Sequence, residues 1–317
     1  MNFFERHSKA ATSFVIVTLI LLSLVLFEGI LRVGFGLGNP VLYRSSPLFG
    51  YRLQPNQLVH RRGAEIKVNN LALRADRDWD SNIENKILFL GNSVTYGGTT
   101  ISTHQLFSHL AAAKLEGYLG GNAGVNGWGI ENIAALVIDD EFLPARTYVS
   151  VLQEMDFYRG LSKLAGKPFW SHTPRFAMQE LVAAFHLDRL NEIYVEHESF
   201  VSESEKEKTV ARACARLKEL DDFLKLRGYR HLIYMSTNTM QLFENEPADP
   251  VVLKNLNEND IHPISIKDRA ELNAMKQEDL KRMFYDWNHL TAEGHELWAT
   301  IISNDLIRIL PPISDRK

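Results

Sequence analysis

Cysteine is almost missing from this chain. Its 317 residues contain one, Cys214, which excludes an intramolecular disulfide framework and a cysteine-rich zinc site. A basic excess is missing as well. With 35 Lys and Arg against 39 Asp and Glu, the formal net charge is −4, whereas a nucleic-acid binder usually shows a basic excess or stripe. There is no internal repeat and no low-complexity tract. A composition of 45% hydrophobic and 23% charged residues excludes disorder, collagen-like repetition and a multi-span membrane protein.

Charge itself is absent from one stretch. Ala10 to Phe27 is a run of 18 uncharged residues, mostly Leu, Ile, Val and Phe. As a helix it covers roughly 27 Å, about the hydrocarbon thickness of a bilayer. Glu28 and Arg32 follow at i, i+4 spacing, where such a helix would emerge among headgroups. Arg6 and Lys9 precede the run and favour a cytoplasmic N-terminus. A cleaved leader has a shorter apolar core, and the nearest small-x-small site, Gly34-Phe35-Gly36, lies beyond two charges. The expectation is an uncleaved single-pass anchor at 10–33 in the cytoplasmic membrane. Residues 1–9 would then be cytoplasmic, and the rest of the chain extracytoplasmic, on the periplasmic or cell-surface side.

Residues 34–85 read as a linker and lead-in. The glycines of 34–44 resemble a dinucleotide loop only superficially, because no strand precedes them. Residues 45–85, with Pro47 and Pro55, read as irregular chain packed on the main domain. From residue 86 to 312 the pattern is strand, loop, helix. Lys86–Gly91 is a short apolar run ending in glycine, the mark of a buried parallel strand. Further strands are predicted at 118–122, 148–153, 231–236 and, interrupted by Pro263, 261–266. Helices are predicted at 104–116, 131–140, 175–194, 202–227, 267–283 and 291–310. This alternation predicts an α/β fold with a parallel sheet of about five strands covered on both faces. Chemistry should gather beyond the carboxyl ends of those strands. The charged stretch 196–218 reads as a solvated helical face.

Three segments carry candidate chemistry. Gly91-Asn92-Ser93-Val94-Thr95-Tyr96-Gly97-Gly98 puts a serine directly after the first strand, its N–H free to face a developing oxyanion. Thr95 stands where the G-x-S-x-G elbow would have its last glycine, so this is a different turn. Asn122-Ala-Gly-Val-Asn-Gly-Trp-Gly129 follows the second strand and offers more backbone donors, or simply a strand-to-helix turn. Asp286-Trp-Asn-His289 places a carboxylate three residues before an imidazole, which it can orient for proton transfer. The same residues also suit a capped surface turn. His295 falls inside the last helix and reads as a packing residue.

Taken together and in this order, the three segments resemble the SGNH (GDSL-type) hydrolase family, especially its membrane-anchored bacterial members. Gly91-Asn92-Ser93 resembles the nucleophile block with Asn in place of Asp, Asn122–Gly127 the second block, and Asp286-x-x-His289 the closing one. The resemblance covers residues 86–310 and implies a flavodoxin-like three-layer α/β/α fold. It implies Ser93 as nucleophile, His289 as base and Asp286 as its partner, with the N–H groups of Ser93 and Gly124 in the oxyanion hole. One block departs. Where the family has Gly-x-Asn-Asp, this chain has Gln153-Glu154-Met155-Asp156, and methionine cannot donate a hydrogen bond. Asn122, Asn126 and Gln153 are the substitutes within reach in sequence.

The implied activity is a serine esterase that needs no metal or organic cofactor. Its expected substrate is an O-acyl, above all O-acetyl, group on an envelope or exported polysaccharide, with lipid esters next. An O-acyltransferase with the same three residues and a glycan-binding protein on a disabled hydrolase fold are the alternatives.

Overall fold

The structure, a computed structural model, describes residues 8–161, 169–183 and 203–311. The expected cytoplasmic N-terminus up to residue 7, the end of the helix predicted at 175–194 and residue 202 lie outside these. The chain opens with helix α1, Ser8–Phe35. Its uncharged stretch is almost wholly uncovered by the rest of the protein, and by length and composition it can cross a bilayer.

The centre is a five-stranded parallel sheet in the order β6-β5-β7-β8-β9. Its strands are β5 (Lys86–Gly91), β6 (Leu119–Asn122), β7 (Thr147–Leu152), β8 (Arg230–Met235) and β9 (Ile264–Ser265). Side chains alternate between faces along a strand, and here both faces are apolar. Ile87 and Phe89 join Val149 and Val151 in one core; Leu88 and Leu90 join Tyr148 and Leu152 in the other. Burial on both sides is why β5 reads as a continuous apolar run. Helices α3 (Phe107–Ala113) and α7 (Ala292–Ile309) cover the first face through Phe107, Ala111, Trp298 and Ile302. Helices α4 (Ile130–Ala134), α5 (Glu203–Leu226) and α6 (Pro250–Glu258) cover the second through Ile133, Val210, Leu217 and Leu256. The predicted three-layer α/β/α class is the one observed.

Several predicted elements change on inspection. β9 shrinks to two residues just after Pro263, which has no N–H to give a ladder. The helix predicted at 267–283 is two short ones, Ala270–Asn273 and Gln277–Arg282, broken by the extended backbone of Lys276. The helix at 131–140 ends in a π-helical turn, Ala135–Asp139.

The lead-in is the main correction. Residues 45–85, expected to be irregular, carry two antiparallel hairpins: β1 (Tyr43–Ser46) with β2 (Gly50–Leu53), and β3 (Gln57–Arg61) with β4 (Ala64–Val68). Tyr51, Ile66, Leu73 and Trp79 are buried in the second core. Arg74 then exchanges two backbone hydrogen bonds with Asn122, extending the edge of the sheet beyond β6. Nor is the glycine-rich stretch a loose tether. Gly36 has φ +66, and a Cβ there would come within 2.8 Å of the His60 carbonyl and 2.9 Å of Arg61 Cα. Only glycine fits so tight a left-handed joint.

Candidate active site

Ser93 opens a four-residue helix, α2 (Ser93–Tyr96), directly at the end of β5. Asn92 caps it, its Oδ1 accepting from the Val94 N–H at 2.8 Å. As first helical residue Ser93 has no intrahelical acceptor for its own N–H, and no described group takes that role. The N–H is therefore available to a ligand.

The loop before α7 supplies the partners. His289 Nε2 lies 2.8 Å from Ser93 Oγ, and His289 Nδ1 lies 2.7 Å from Asp286 Oδ2. The other Asp286 oxygen accepts from the N–H groups of Asn288 at 3.0 Å and His289 at 2.8 Å. Partial burial pushes the Asp286 carboxyl up, but these two N–H groups and the His289 ring outweigh it and hold the carboxyl below its usual range. Residues distant in sequence thus form one hydrogen-bonded series: carboxylate, imidazole, hydroxyl. Nδ1 carries its proton toward Asp286, which leaves Nε2 as the acceptor facing Ser93.

Behind them runs a buried amide network. Asn92 Nδ2 donates to Asp156 Oδ1 at 2.7 Å and to Gln153 Oε1 at 2.9 Å. Asn288 Nδ2 donates to the same Gln153 oxygen at 3.2 Å, and the Gln153 N–H donates to Asp156 Oδ2 at 2.9 Å. The turn that carries Ser93, the loop after β7 and the loop that carries Asp286 and His289 are therefore pinned to each other. Burial pushes the Asp156 carboxyl up to about 6, against the pull of Arg159, the Gln153 N–H and Asn92. Asparagine at position 92 acquires a reason: an aspartate there would set a second carboxylate against Asp156.

The loop after β6 sorts the expected oxyanion donors. Gly124 N–H donates to Asn122 Oδ1 at 2.8 Å, inside the protein. A Cβ on Gly124 would lie 2.5 Å from Tyr96 N, so its glycine lets this loop press against α2. Asn122 is fully buried and donates to Thr95 O and to Ser108 Oγ. Gln153 is occupied in the network just described, and Met155 Sδ sits 3.9 Å from Asn288 Nδ2. Asn126 differs. It lines the cleft above Ser93, its backbone oxygen is held by the Tyr51 hydroxyl at 2.6 Å, and its side-chain amide has no partner among the described residues.

That cleft has a volume of about 480 Å³; Arg62, Thr99, Phe169 and Tyr285 line it together with Ser93 and His289. Arg62 and Phe169 come from segments the sequence reading did not connect with chemistry. Arg74, fully buried, donates to the carbonyls of Tyr96, Gly98 and Ile101 and so holds the cleft floor. No motif announced it. His295 is buried as expected, stacked on Phe107, with Nδ1 accepting from the Phe107 N–H at 3.2 Å. Burial, and then Arg74, lower its pKa to about 3, so the ring is neutral.

A second Ser–His–Asp series exists. Ser150 Oγ lies 2.9 Å from His231 Nε2, and His231 Nδ1 lies 3.1 Å from Asp221 Oδ1. Ser150 and the His231 side chain are wholly buried between the sheet and α5, so no substrate reaches them. Geometry alone does not make a site; access does.

No model of a protein family matches the chain, and no curated protein matches it. Solved structures do. A member of the lipolytic G-D-S-L family from Veillonella parvula is 15% identical, the match covering 71% of this chain and 99% of the other at a TM-score of 0.37. A catalytic mutant of an acetylxylan esterase from Geobacillus stearothermophilus is 16% identical, covering 72% and 97% at a TM-score of 0.40. A GDSL-like lipase from Bacteroides thetaiotaomicron is 11% identical, covering 71% and 89% at a TM-score of 0.38.

Proposed function

We propose that the protein is a serine-dependent carboxylic ester hydrolase of the SGNH type, held in the cytoplasmic membrane by α1 with its cleft on the extracytoplasmic side. The observation that carries the chemistry is the 2.8 Å and 2.7 Å series from Ser93 through His289 to Asp286, open to a cleft. Ser93 Oγ attacks the acyl carbon as His289 Nε2 takes its proton. His289 then returns that proton to the departing alkoxide. Water, deprotonated by the same nitrogen, releases the acid from the acyl-enzyme. Asp286 keeps the ring oriented and stabilises the imidazolium between the two transfers. The Ser93 N–H and the Asn126 amide are the groups suited to receive the oxyanion.

For substrate, we favour O-acyl groups, acetyl above all, on an envelope or exported polysaccharide. A cleft with Thr99, Thr100 and Asn126 on its walls suits hydroxyl-rich chains, and Tyr285, 70% exposed, offers a ring face to a sugar. Labelling of the full chain in detergent with a fluorophosphonate tests the chemistry. Wild type should be modified at Ser93 and release acetate from a small acetyl ester, and Ser93→Ala should do neither. A wild-type chain that resists the reagent and hydrolyses no ester would leave a binding protein. Acetate moving to an added sugar rather than to water would mark a transferase.

A further inference from the structure

The end of α1 is built into the domain. Glu28 pairs with Arg32 at 2.7 Å and also accepts from the N–H of Ala177 at 2.7 Å, at the start of the helical segment 177–183. Arg32 Nη2 donates to the Arg175 carbonyl at 3.0 Å. Glu180 accepts from Gly38 N–H at 2.7 Å and pairs with Arg61 at 2.5 Å, both bonds buried. Segment 175–180 is therefore tied to the base of α1 through Glu28 and Arg32, and to Gly38 and the end of β3 through Glu180.

Beside this clamp lies a groove of about 620 Å³ lined by Leu24, Val25, Phe176, Met178, Val182 and the polar Gln179, with Glu28 one turn above Leu24. Phe176 is 58% exposed and Val182 50% exposed. Water gives no reason for a folded segment to hold two such side chains outward beside a helix already apolar on all sides. Leu24 and Val25 decide what fills the groove, because they belong to the uncovered part of the candidate span. Leu24 lies one helical turn, about 6 Å, below Glu28. With Glu28 and Arg32 among headgroups, the groove opens at the depth where interfacial helices bury their apolar face, about 5–10 Å.

We infer that segment 176–182 is a second membrane contact: Phe176 and Val182 enter the headgroup–acyl boundary beside α1, and the groove between them takes a lipid acyl chain. This rests on the reading of α1 as a membrane span. Two contacts at one interface, joined by the clamp, set the domain's tilt as well as its attachment, which a single helix leaves free to rotate about its axis.

Spin labels in full-length protein test it. In a Cys214→Ser background, Phe176→Cys, Val182→Cys, Leu21→Cys and Ile307→Cys would be labelled and reconstituted into phosphatidylcholine–phosphatidylglycerol vesicles. Collision with oxygen, which concentrates in lipid, is compared with collision with a water-soluble nickel chelate. At 176 and 182 oxygen should dominate severalfold, as at 21, whereas at 307 nickel should dominate. Oxygen dominance at 21 with nickel dominance at 176 and 182 would overturn the second contact and leave the span intact. Nickel dominance at 21 would remove the span and this inference with it. Protection of 176 and 182 from both reagents would mean that protein, such as a second copy, covers the groove, and would also overturn it.

Discussion

At the scale of single residues, the site separates groups of the same chemistry by what else they touch. Three amides lay within reach of the proposed oxyanion in sequence, and of these only Asn126 has its side chain on the cleft with no partner among the described residues. Asn126→Ala should lower kcat for an acetyl ester about 10²-fold with KM little changed, while Asn122→Ala should act mainly on stability. Equal kcat losses with both variants folded by circular dichroism would dismiss Asn126 as the donor. The histidines separate similarly. His289→Ala should cost about 10²–10⁴ in kcat. His295→Ala should cost a few kcal/mol of unfolding free energy but leave turnover per folded molecule near wild type. Asn92→Asp puts two carboxyls in one buried place, so one must stay protonated. The variant should unfold at lower urea than wild type at pH 8, and the gap should narrow by pH 5. A gap that does not move with pH would mean the substituted carboxylate has turned away from Asp156.

The residue scale is also where sequence reading reached its limit. That Ser93, Asp286 and His289 would meet was legible because each belongs to a short block of fixed spacing, and the sheet brings those blocks to one edge. Gly124 was expected to donate outward, yet its N–H turns in to Asn122; a loop's hydrogen-bond direction depends on backbone angles that residue names do not state. Arg62 and Phe169 reach the cleft from separate segments, a proximity that only the fold creates.

At the scale of elements, legibility followed the strength of pattern. β5 and α7 were plain because one is a closed apolar run and the other has the Thr291 cap and helical period. The β3–β4 hairpin was hidden. Its turn, Arg62-Gly63, has φ +48 and +81, angles usually marked by Asn-Gly or Asp-Gly, and an arginine in the first position hides the signal. The buried pairing of β8 with α5 makes a prediction of its own. Burial, which outweighs the pull of Asp221, holds the His231 ring below its usual pKa. The unfolded chain therefore takes up the proton first, and this contribution to stability, full at neutral pH, is lost as pH falls below about 6.5. The Asp221 carboxyl is held low by His231 and Lys225 despite its burial, so its contribution is lost on the same acid side, at lower pH. Urea unfolding in detergent should show stability falling as the pH drops below about 6.5, and His231→Gln should flatten that fall. An unchanged slope in the variant would assign the acid sensitivity elsewhere.

At the scale of the whole molecule, α1 and the domain form one body. Protease added to spheroplasts should remove the domain and leave a short membrane stub, since the expectation from Arg6 and Lys9 is an outward-facing domain. Digestion only after lysis would reverse the orientation. The joint between α1 and the domain also bears on reach. Gly36 packs on His60 and Arg61, and the next residue, Arg62, already lines the cleft. An enzyme on a flexible leash sweeps a hemisphere and can reach esters at many heights above the bilayer; on our proposal that α1 spans the membrane, this chain would work at a single height, close to the bilayer. On our reading its turnover is gated by delivery, with polymer or lipid brought to a stationary blade. Insertion of ten Gly/Ser residues between Phe35 and Gly36 should therefore broaden the range of heights at which acetyl groups on surface-tethered chains are removed, while hydrolysis of a small free ester stays the same. An unaltered cleavage pattern on the tethered chains would show that the height was never restricted.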